Sequence, residues 1–278
     1  MQEFHIRRFR GFTLTELAVV FTIISLLLAA GMYTLSAQTE QRNFEETRRR
    51  LEAARELLLG FAIVNGRLPC PARDNSAGDE VRIPDTPLTA NSGKCQDSVP
   101  VEDYYGGVAG GVTGGLLPAR SIGFQIVDAN GFALDGYGNR IRYAVEKFVI
   151  DCAGPSSIPH FTYAPNMRTN GITCLPRDLL LCKSAAGVNG TPGATSCGAG
   201  GNVLTNKKVV VAVVYSIGKN GATGSGGIDE AANVNGDGVF VWHTPAPAGA
   251  ANGEFDDQMT WIAVGELYGK LIAAGVLP

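Results

Sequence analysis

The stretch RGFTLTELAVVFTIISLLLAAGM, residues 10–32, is the most informative part of this chain. A short basic segment leads to Gly11, and after Glu16 an apolar run continues without a further charge to about Leu35. A secretory signal loses its apolar core when the leader is removed. Here the expected cut, between Gly11 and Phe12, precedes the apolar run, so the mature protein would keep it.

The register of Gly11, the aromatic Phe12 and Glu16 resembles the leader and N-terminal segment of type IV pilins and type II secretion pseudopilins. This resemblance implies cleavage by a prepilin peptidase between Gly11 and Phe12, followed by N-methylation of Phe12. It also implies polymerisation with other pilin or pseudopilin subunits, supported by an assembly platform in the inner membrane. In such filaments the acid at the position of Glu16 neutralises the N-terminal amine of a neighbouring subunit.

The position of Glu16 is consistent with such a role. An acidic side chain inside a membrane segment is costly, and it is therefore a functional hypothesis by default. The alternative is an anchor in which Glu16 lies at the level of the lipid headgroups and has no function. That alternative leaves Gly11 and the FTLTE sequence unexplained.

The charge pattern predicts the orientation and the division of the chain. Basic residues crowd the N-terminal side of the apolar run, so the positive-inside rule keeps that side in the cytoplasm. The apolar run is close to the ~20 residues that cross a bilayer. We expect a leader at 1–11, a membrane-spanning and filament-core helix at 12–35, an amphipathic continuation at 36–66 and a periplasmic head at 67–278.

Apolar residues after the anchor recur at three-, four- and seven-residue spacings, which predicts one face of a helix. These residues are Phe44, Leu51, Ala54, Leu58 and Phe61. Gly66 can provide a left-handed cap, and Pro69 prevents further helix. The sequence therefore predicts one long helix that ends near residue 65.

The head carries strand and turn signals. Residues 135–139, DGYGN, predict a turn, and Ile141, Tyr143 and Val145 alternate after it as in a strand. This turn resembles the one that opens the sheet in pseudopilins. Further strands are predicted within 207–221, at 239–242 and at 255–264, with a closing helix at 267–277, whereas the glycine-rich residues 106–115 are interpreted as a flexible connection. The fold class is α+β, with the long helix packed on an antiparallel sheet.

Six cysteines follow the anchor, on the side that would be exported: Cys70, Cys95, Cys152, Cys174, Cys182 and Cys197. An even number of cysteines in an oxidising compartment indicates disulfides. Spacing does not decide the pairing, and we favour nearest neighbours: 70–95, 152–174 and 182–197. The last two pairs would hold a loop insertion with little periodicity.

Asn233, Asn235 and Asp237 place oxygen donors at alternate positions before a glycine, as at the start of a calcium loop. The pattern then fails, because Thr244 stands where an EF-hand has its bidentate Glu. Ordinary Asn/Gly turn chemistry is the alternative interpretation. The resemblance implies calcium in this region, since major pseudopilins bind it before their last strands, and Glu230, Asp256 and Asp257 could add carboxylates.

Enzymatic patterns are absent from the sequence. His160 and His243 are isolated, and the adjacent Asp256 and Asp257 are expected to point to opposite faces of a strand, which argues against a catalytic carboxylate pair. The net charge of −3 and the lack of a clustered basic face argue against a nucleic-acid partner. We therefore expect a non-enzymatic pilus or pseudopilus subunit, with minor pilins and pseudopilins favoured by the large head. A membrane-anchored binding or adhesion module that does not polymerise is the alternative.

Overall fold

The computed structural model describes residues 13–89, 91–96, 103–109, 112–147, 159–188, 194–198, 200–221 and 226–277. The chain divides into two compact units, Met1–Asn43 and Phe44–Pro278. The α-helices are α1 Leu14–Asn65, α2 Ala119–Ile122, α3 Ala164–Asn170, α4 Ile228–Asn233 and α5 Val264–Ala273. The strands are β1 Gly107–Ala109, β2 Val112–Gly114, β3 Arg142–Val145, β4 Leu180–Cys182, β5 Val210–Ser216, β6 Val239–Val241 and β7 Gln258–Ala263.

A membrane-crossing segment is predicted over residues 12–35. Within the ranges given above, no helix combines the length and the apolar character that crossing a bilayer requires.

The second unit begins with the amphipathic part of α1, and here the predicted apolar face is confirmed. Leu51, Ala54 and Leu58 are fully or almost fully buried, and they belong to the same core as the sheet residues Tyr143 and Val214. The helix ends at Asn65 because Gly66 adopts a φ of +69° and its amide donates to the carbonyl of Ala62 at 2.8 Å.

The main sheet is antiparallel with the strand order β3-β5-β7, so β5 is central and all seven of its residues are buried. Side chains of a strand alternate between two faces. Val214 faces the core that contains α1, whereas Val213 and Tyr215 contribute to a second core with Leu181 and Phe240. The α+β arrangement of a long helix on an antiparallel sheet is therefore confirmed, and the sheet is covered on both faces.

The cover on the second face is a small parallel sheet formed by β4 and β6, in which Leu181 pairs with Phe240. Strand β4 lies in the cysteine-rich insertion, and the disulfide Cys182–Cys197 closes the loop that follows it. Disulfide Cys70–Cys95 closes the loop after α1. These are two of the three nearest-neighbour pairs. Cys174 is also disulfide-bonded, and Cys152 lies outside the described residues.

The prediction of a flexible connection at 106–115 is wrong for part of that segment. Strands β1 and β2 pair antiparallel, with Val108 opposite Thr113. Asp103 fixes the base of this hairpin, because its carboxylate accepts hydrogen bonds from the amides of Gly106 and Gly115, both at 3.1 Å. The glycines also allow close approach of the backbones, because a Cβ on Gly115 would lie only 2.3 Å from the Cα of Gly106.

Candidate functional site

The first turn of α1 holds Glu16. The carboxylate of Glu16 accepts hydrogen bonds from the amide of Thr13 at 2.9 Å and from its hydroxyl at 2.8 Å, while the Glu16 amide donates to Thr13 Oγ1 at 3.3 Å. This reciprocal pair is a capping box, and it begins the helix at Leu14. The T-x-x-E spacing in the sequence was the available signal for it. Gly11 and Phe12 lie outside the described residues.

The helix after Glu16 exposes apolar side chains on every side. Leu17, Val20, Phe21, Ile24 and Leu28 are all exposed, and the side chains at 19, 23, 26 and 27 complete the circumference. A contiguous exposed apolar surface of this size marks a site of contact with a protein or a membrane.

The polar side chains of this segment are satisfied within the helix. The hydroxyl of Thr22 donates to the carbonyl of Ala18 at 2.8 Å, and the hydroxyl of Ser25 donates to the carbonyl of Phe21 at 2.7 Å. Such internal bonds let Thr and Ser lie in an apolar environment without unpaired donors.

The predicted calcium residues are placed in turns, and their oxygens are used by the chain. Asn233 Oδ1 accepts from the amide of Val241 at 2.7 Å, and Asn235 Oδ1 accepts from that of Asp237 at 2.9 Å. Asp237 Oδ1 accepts from the amide of Val239 at 2.9 Å. The three side chains thus hold the passage from α4 to β6, and they leave few oxygens for an ion.

A different acidic cluster forms next to them. Glu230 from α4 and Asp256 and Asp257, just before β7, each place one carboxylate oxygen within 4.8 Å of the other two. The expectation that Asp256 and Asp257 point to opposite faces is wrong. They precede Gln258, where the strand begins, so strand alternation does not govern them.

Each carboxylate of this cluster is anchored by the protein. Asp257 Oδ2 accepts from the side-chain amide of Asn233 at 2.7 Å, and Glu230 Oε1 accepts from the amide of Asp256 at 2.6 Å. Asp256 Oδ2 accepts from the amide of Lys219 at 3.1 Å. Within the described residues, the other oxygens of Asp256 and Asp257 are buried and have no hydrogen-bond partner.

The electrostatics of the cluster favour a bound proton or cation. Burial, reinforced by the charges of Glu230 and Asp256, raises the pKa of Asp257 well above its usual range. Burial also raises the pKa of Glu230 and of Asp256. Carboxylate oxygens are ligands that calcium prefers. The donor set and the unpartnered oxygen of Asp257, a residue only 3% exposed, fit such an ion.

The two histidines lie in separate surroundings. His160 is buried against Tyr268, with Nε2 3.1 Å from the hydroxyl, and burial lowers its pKa to about 4. His243 Nε2 lies 3.2 Å from Asp229 Oδ2. The hydroxyl of Ser184 donates to Asp229 Oδ1 at 3.1 Å. Ser184 is thus bonded to the acid rather than to the histidine, which is not the order that activates a serine nucleophile.

No curated protein and no solved structure matches this chain. The informative match is confined to its N-terminal segment, which includes Glu16 and the exposed apolar surface described above. Residues 6–32 carry the prokaryotic N-terminal methylation motif, the signature of type IV pilins and pseudopilins.

Proposed function

We propose that this protein is a structural subunit of a type IV pilus or a type II secretion pseudopilus, as a minor pilin or a pseudopilin. The observation that carries the proposal is the methylation motif at 6–32, which runs into a helix with apolar side chains exposed around its whole circumference. In water such a surface is unfavourable, whereas in a membrane or a filament core it is buried.

In this proposal prepilin peptidase removes residues 1–11 and Phe12 is methylated. Residues 12–35 anchor the subunit in the inner membrane, 36–66 continue the helix and 67–278 form a periplasmic head. The subunit then enters the filament with other pilin or pseudopilin subunits at the assembly platform.

Glu16 would act at the transfer into the filament. Its carboxylate is held at the start of the helix by Thr13, where it can meet the amine of Phe12 from a neighbouring subunit. Two opposite charges in an apolar filament core neutralise each other, whereas either charge alone would be strongly unfavourable there.

The experiment is a determination of the N-terminus by mass spectrometry in sheared filaments and in membranes of the native organism. A chain that begins at methylated Phe12 in the filaments supports processing and assembly together. The same end in membranes alone favours a pseudopilin or an initiating subunit. An uncut Met1 contradicts the proposal and leaves an anchored binding or adhesion module.

We also propose that the cluster of Glu230, Asp256 and Asp257 binds calcium, in place of the oxygens of Asn233, Asn235 and Asp237. The unpartnered oxygen of Asp257 supports this assignment, because a buried carboxylate oxygen without a hydrogen-bond partner is costly. The three carboxylates would supply ligands, and the ion would link α4 to the strand that closes the main sheet.

A further inference from the structure

Two adjoining cavities lie where the small sheet meets the main one. The first, of about 470 Å³, is lined by Tyr105, by residues 177–178 before β4 and by 236–238 before β6, together with Lys147, Lys207 and residues 194–195. The second, of about 460 Å³, is lined by residues 206–208 and by Arg177. Arg177 and Lys207 line both, so the two cavities form one continuous surface, which we call the basic cleft.

The basic cleft concentrates positive charge on a chain whose net charge is −3. Four cationic side chains line it: Lys147, Arg177, Lys207 and Lys208. Its two carboxylates, Asp178 and Asp237, are both held by hydrogen bonds from the chain, including those from the Lys147 amide at 3.2 Å and the Ala194 amide at 3.1 Å.

A third carboxyl group near the cleft, that of Glu146, adds little negative charge. Glu146 is buried and accepts a hydrogen bond from the amide of Arg177 at 2.8 Å. Burial raises its pKa well above the usual range, so its carboxyl group tends to keep a proton. The field in the cleft is therefore set by the four cations and two carboxylates.

Hydrogen bonds within a turn position the two lysines, Lys207 and Lys208. Asn206 holds the turn that carries the two lysines, since its side-chain oxygen accepts from the Lys208 amide and its carbonyl from the Val209 amide, both at 3.0 Å. At Gly238, which also lines the cleft, a Cβ would lie only 2.7 Å from the carbonyl of Asp178. The close approach of the segments before β4 and β6 therefore requires a glycine.

The mixture of groups selects the chemistry of a ligand. Cations attract carboxylate or phosphate groups, while Thr195 and Asn206 offer acceptors to hydroxyl groups. Asp178 is not available in this way, because its Oδ1 is buried and its Oδ2 accepts from the Lys147 amide. A nucleic-acid groove instead combines cations with aromatic stacking platforms, and the one aromatic residue here, Tyr105, has its hydroxyl bound to Asp178.

We propose that the basic cleft binds an acidic polysaccharide, with sugar carboxylates at Arg177, Lys207 and Lys208 and sugar hydroxyls at Thr195 and Asn206. The volume of each cavity lies in the range of about 300–1,000 Å³ that is usual for small-ligand sites. The proposal does not depend on polymerisation of the subunit, because the cleft is formed within Phe44–Pro278 alone.

The test measures binding of the full chain, purified in detergent micelles, to polygalacturonate, with neutral dextran, poly-glutamate and oligo-dT as comparison probes. We expect saturable binding of polygalacturonate that weakens with added salt, and none of dextran. The double variant Lys207→Gln/Lys208→Gln should bind about ten- to a hundredfold more weakly, a loss of about 1.4–2.8 kcal/mol, because two of the four cationic side chains are removed.

Two further variants keep the result interpretable. Lys207→Arg/Lys208→Arg should retain binding, and Lys219→Gln/Lys270→Gln removes two exposed lysines outside the cleft and should leave it unchanged. Near-ultraviolet circular dichroism confirms that each variant is folded. No saturable binding of polygalacturonate, equal binding by the glutamine variant of the cleft, or binding of poly-glutamate or oligo-dT as tight as that of polygalacturonate would each overturn the proposal.

Discussion

Arg55 of α1 and Glu266 of α5 form a two-pronged ion pair that joins the first and the last helix of the unit Phe44–Pro278. Arg55 also donates through Nε to the carbonyl of Trp261 at 3.1 Å, so it binds the outer strand of the main sheet as well. Both side chains are largely shielded from water.

Replacement of Arg55 by Gln should lower the free energy of unfolding by about 1–3 kcal/mol, because it leaves Glu266 and a strand carbonyl without their donor. Urea denaturation of the full chain in detergent, with the disulfides intact, measures the change. Glu56→Gln is the matched control: Glu56 is 57% exposed, and loss of such a pair usually costs less than about 1 kcal/mol. Equal effects of the two substitutions would show that Arg55 has no special role.

Calcium should raise the melting temperature of the protein by roughly 5–10 °C at concentrations far above its dissociation constant. Asp257→Asn should remove most of this shift, and it should leave the ion-free protein as stable or more stable, because a buried carboxylate is costly. Asp237→Asn should preserve the shift, since Asp237 lies outside the acidic cluster. A shift that survives Asp257→Asn, or disappears in Asp237→Asn, would return the ion to the loop at 233–237.

The acidic cluster also predicts that the stability of the ion-free protein depends on pH. A carboxyl group whose pKa is raised in the folded state stabilises the protein fully below its unfolded pKa, and this stabilisation is lost as the pH rises through the folded value. In the ion-free protein, Asp257→Asn should therefore gain stability relative to the parent as the pH rises from about 4 towards 7. Unfolding curves at a series of pH values, with a chelator present, measure the difference, and a constant difference would contradict the assignment.

The stability contribution of His160 depends on pH in the opposite direction to that of Asp257. Its folded pKa of about 4 lies below the usual 6.5, so its contribution to stability is present above 6.5 and is lost as the pH falls towards 4. His160→Gln should be less stable than the parent at pH 7, and the gap should shrink by about 3 kcal/mol by pH 4. His243→Gln, at the histidine whose side chain is 25% exposed, serves as the control. A gap that does not change with pH would mean that His160 does not titrate as described.

Glu16 caps α1 and is proposed to neutralise a neighbouring amine, and two substitutions distinguish these roles. Glu16→Gln should abolish incorporation into filaments while the membrane level of the protein stays the same, because the amide cannot neutralise a neighbouring amine. Thr13→Val removes the hydroxyl half of the capping box, whose loss costs a helix about 0.5–2 kcal/mol, and it should leave incorporation largely intact. Immunoblots of sheared filaments and membranes measure both, and equal defects would mean that Glu16 acts through the cap alone.

Local chemistry explains which parts of the fold were predictable. Gly66 followed by Pro69 fixed the end of α1, and the DGYGN turn located β3, because Asp135 Oδ1 accepts from the amides of Tyr137 and Asn139 within five residues of chain. Central strand β5 was recognisable as an unbroken apolar run. Each of these signals is contained in a short stretch of sequence.

The parts that were predicted incompletely or missed depend on distant pairing. Glu230, Asp256 and Asp257 were named as possible additional carboxylates of the loop at 233–237, but Glu230 precedes Asp256 by 26 residues, and no local pattern indicates that the three form a cluster of their own. The parallel pairing of β4 with β6 joins segments that precede and follow the central strand in the sequence. The hairpin of β1 and β2 depends on hydrogen bonds from two glycine amides to Asp103, and glycines give no side-chain pattern from which a strand could be predicted. The basic cleft combines residues from six separate segments.

The double cover of the main sheet has a practical consequence for anyone who engineers this subunit. The cysteine-rich insertion supplies Leu181 to the core that buries Val213 and Tyr215. Deleting the insertion to obtain a minimal head would therefore expose an apolar surface of the sheet and promote aggregation. Labels for imaging belong elsewhere, for example at Ala248 in an exposed loop, where a fluorophore would disturb neither layer of the core.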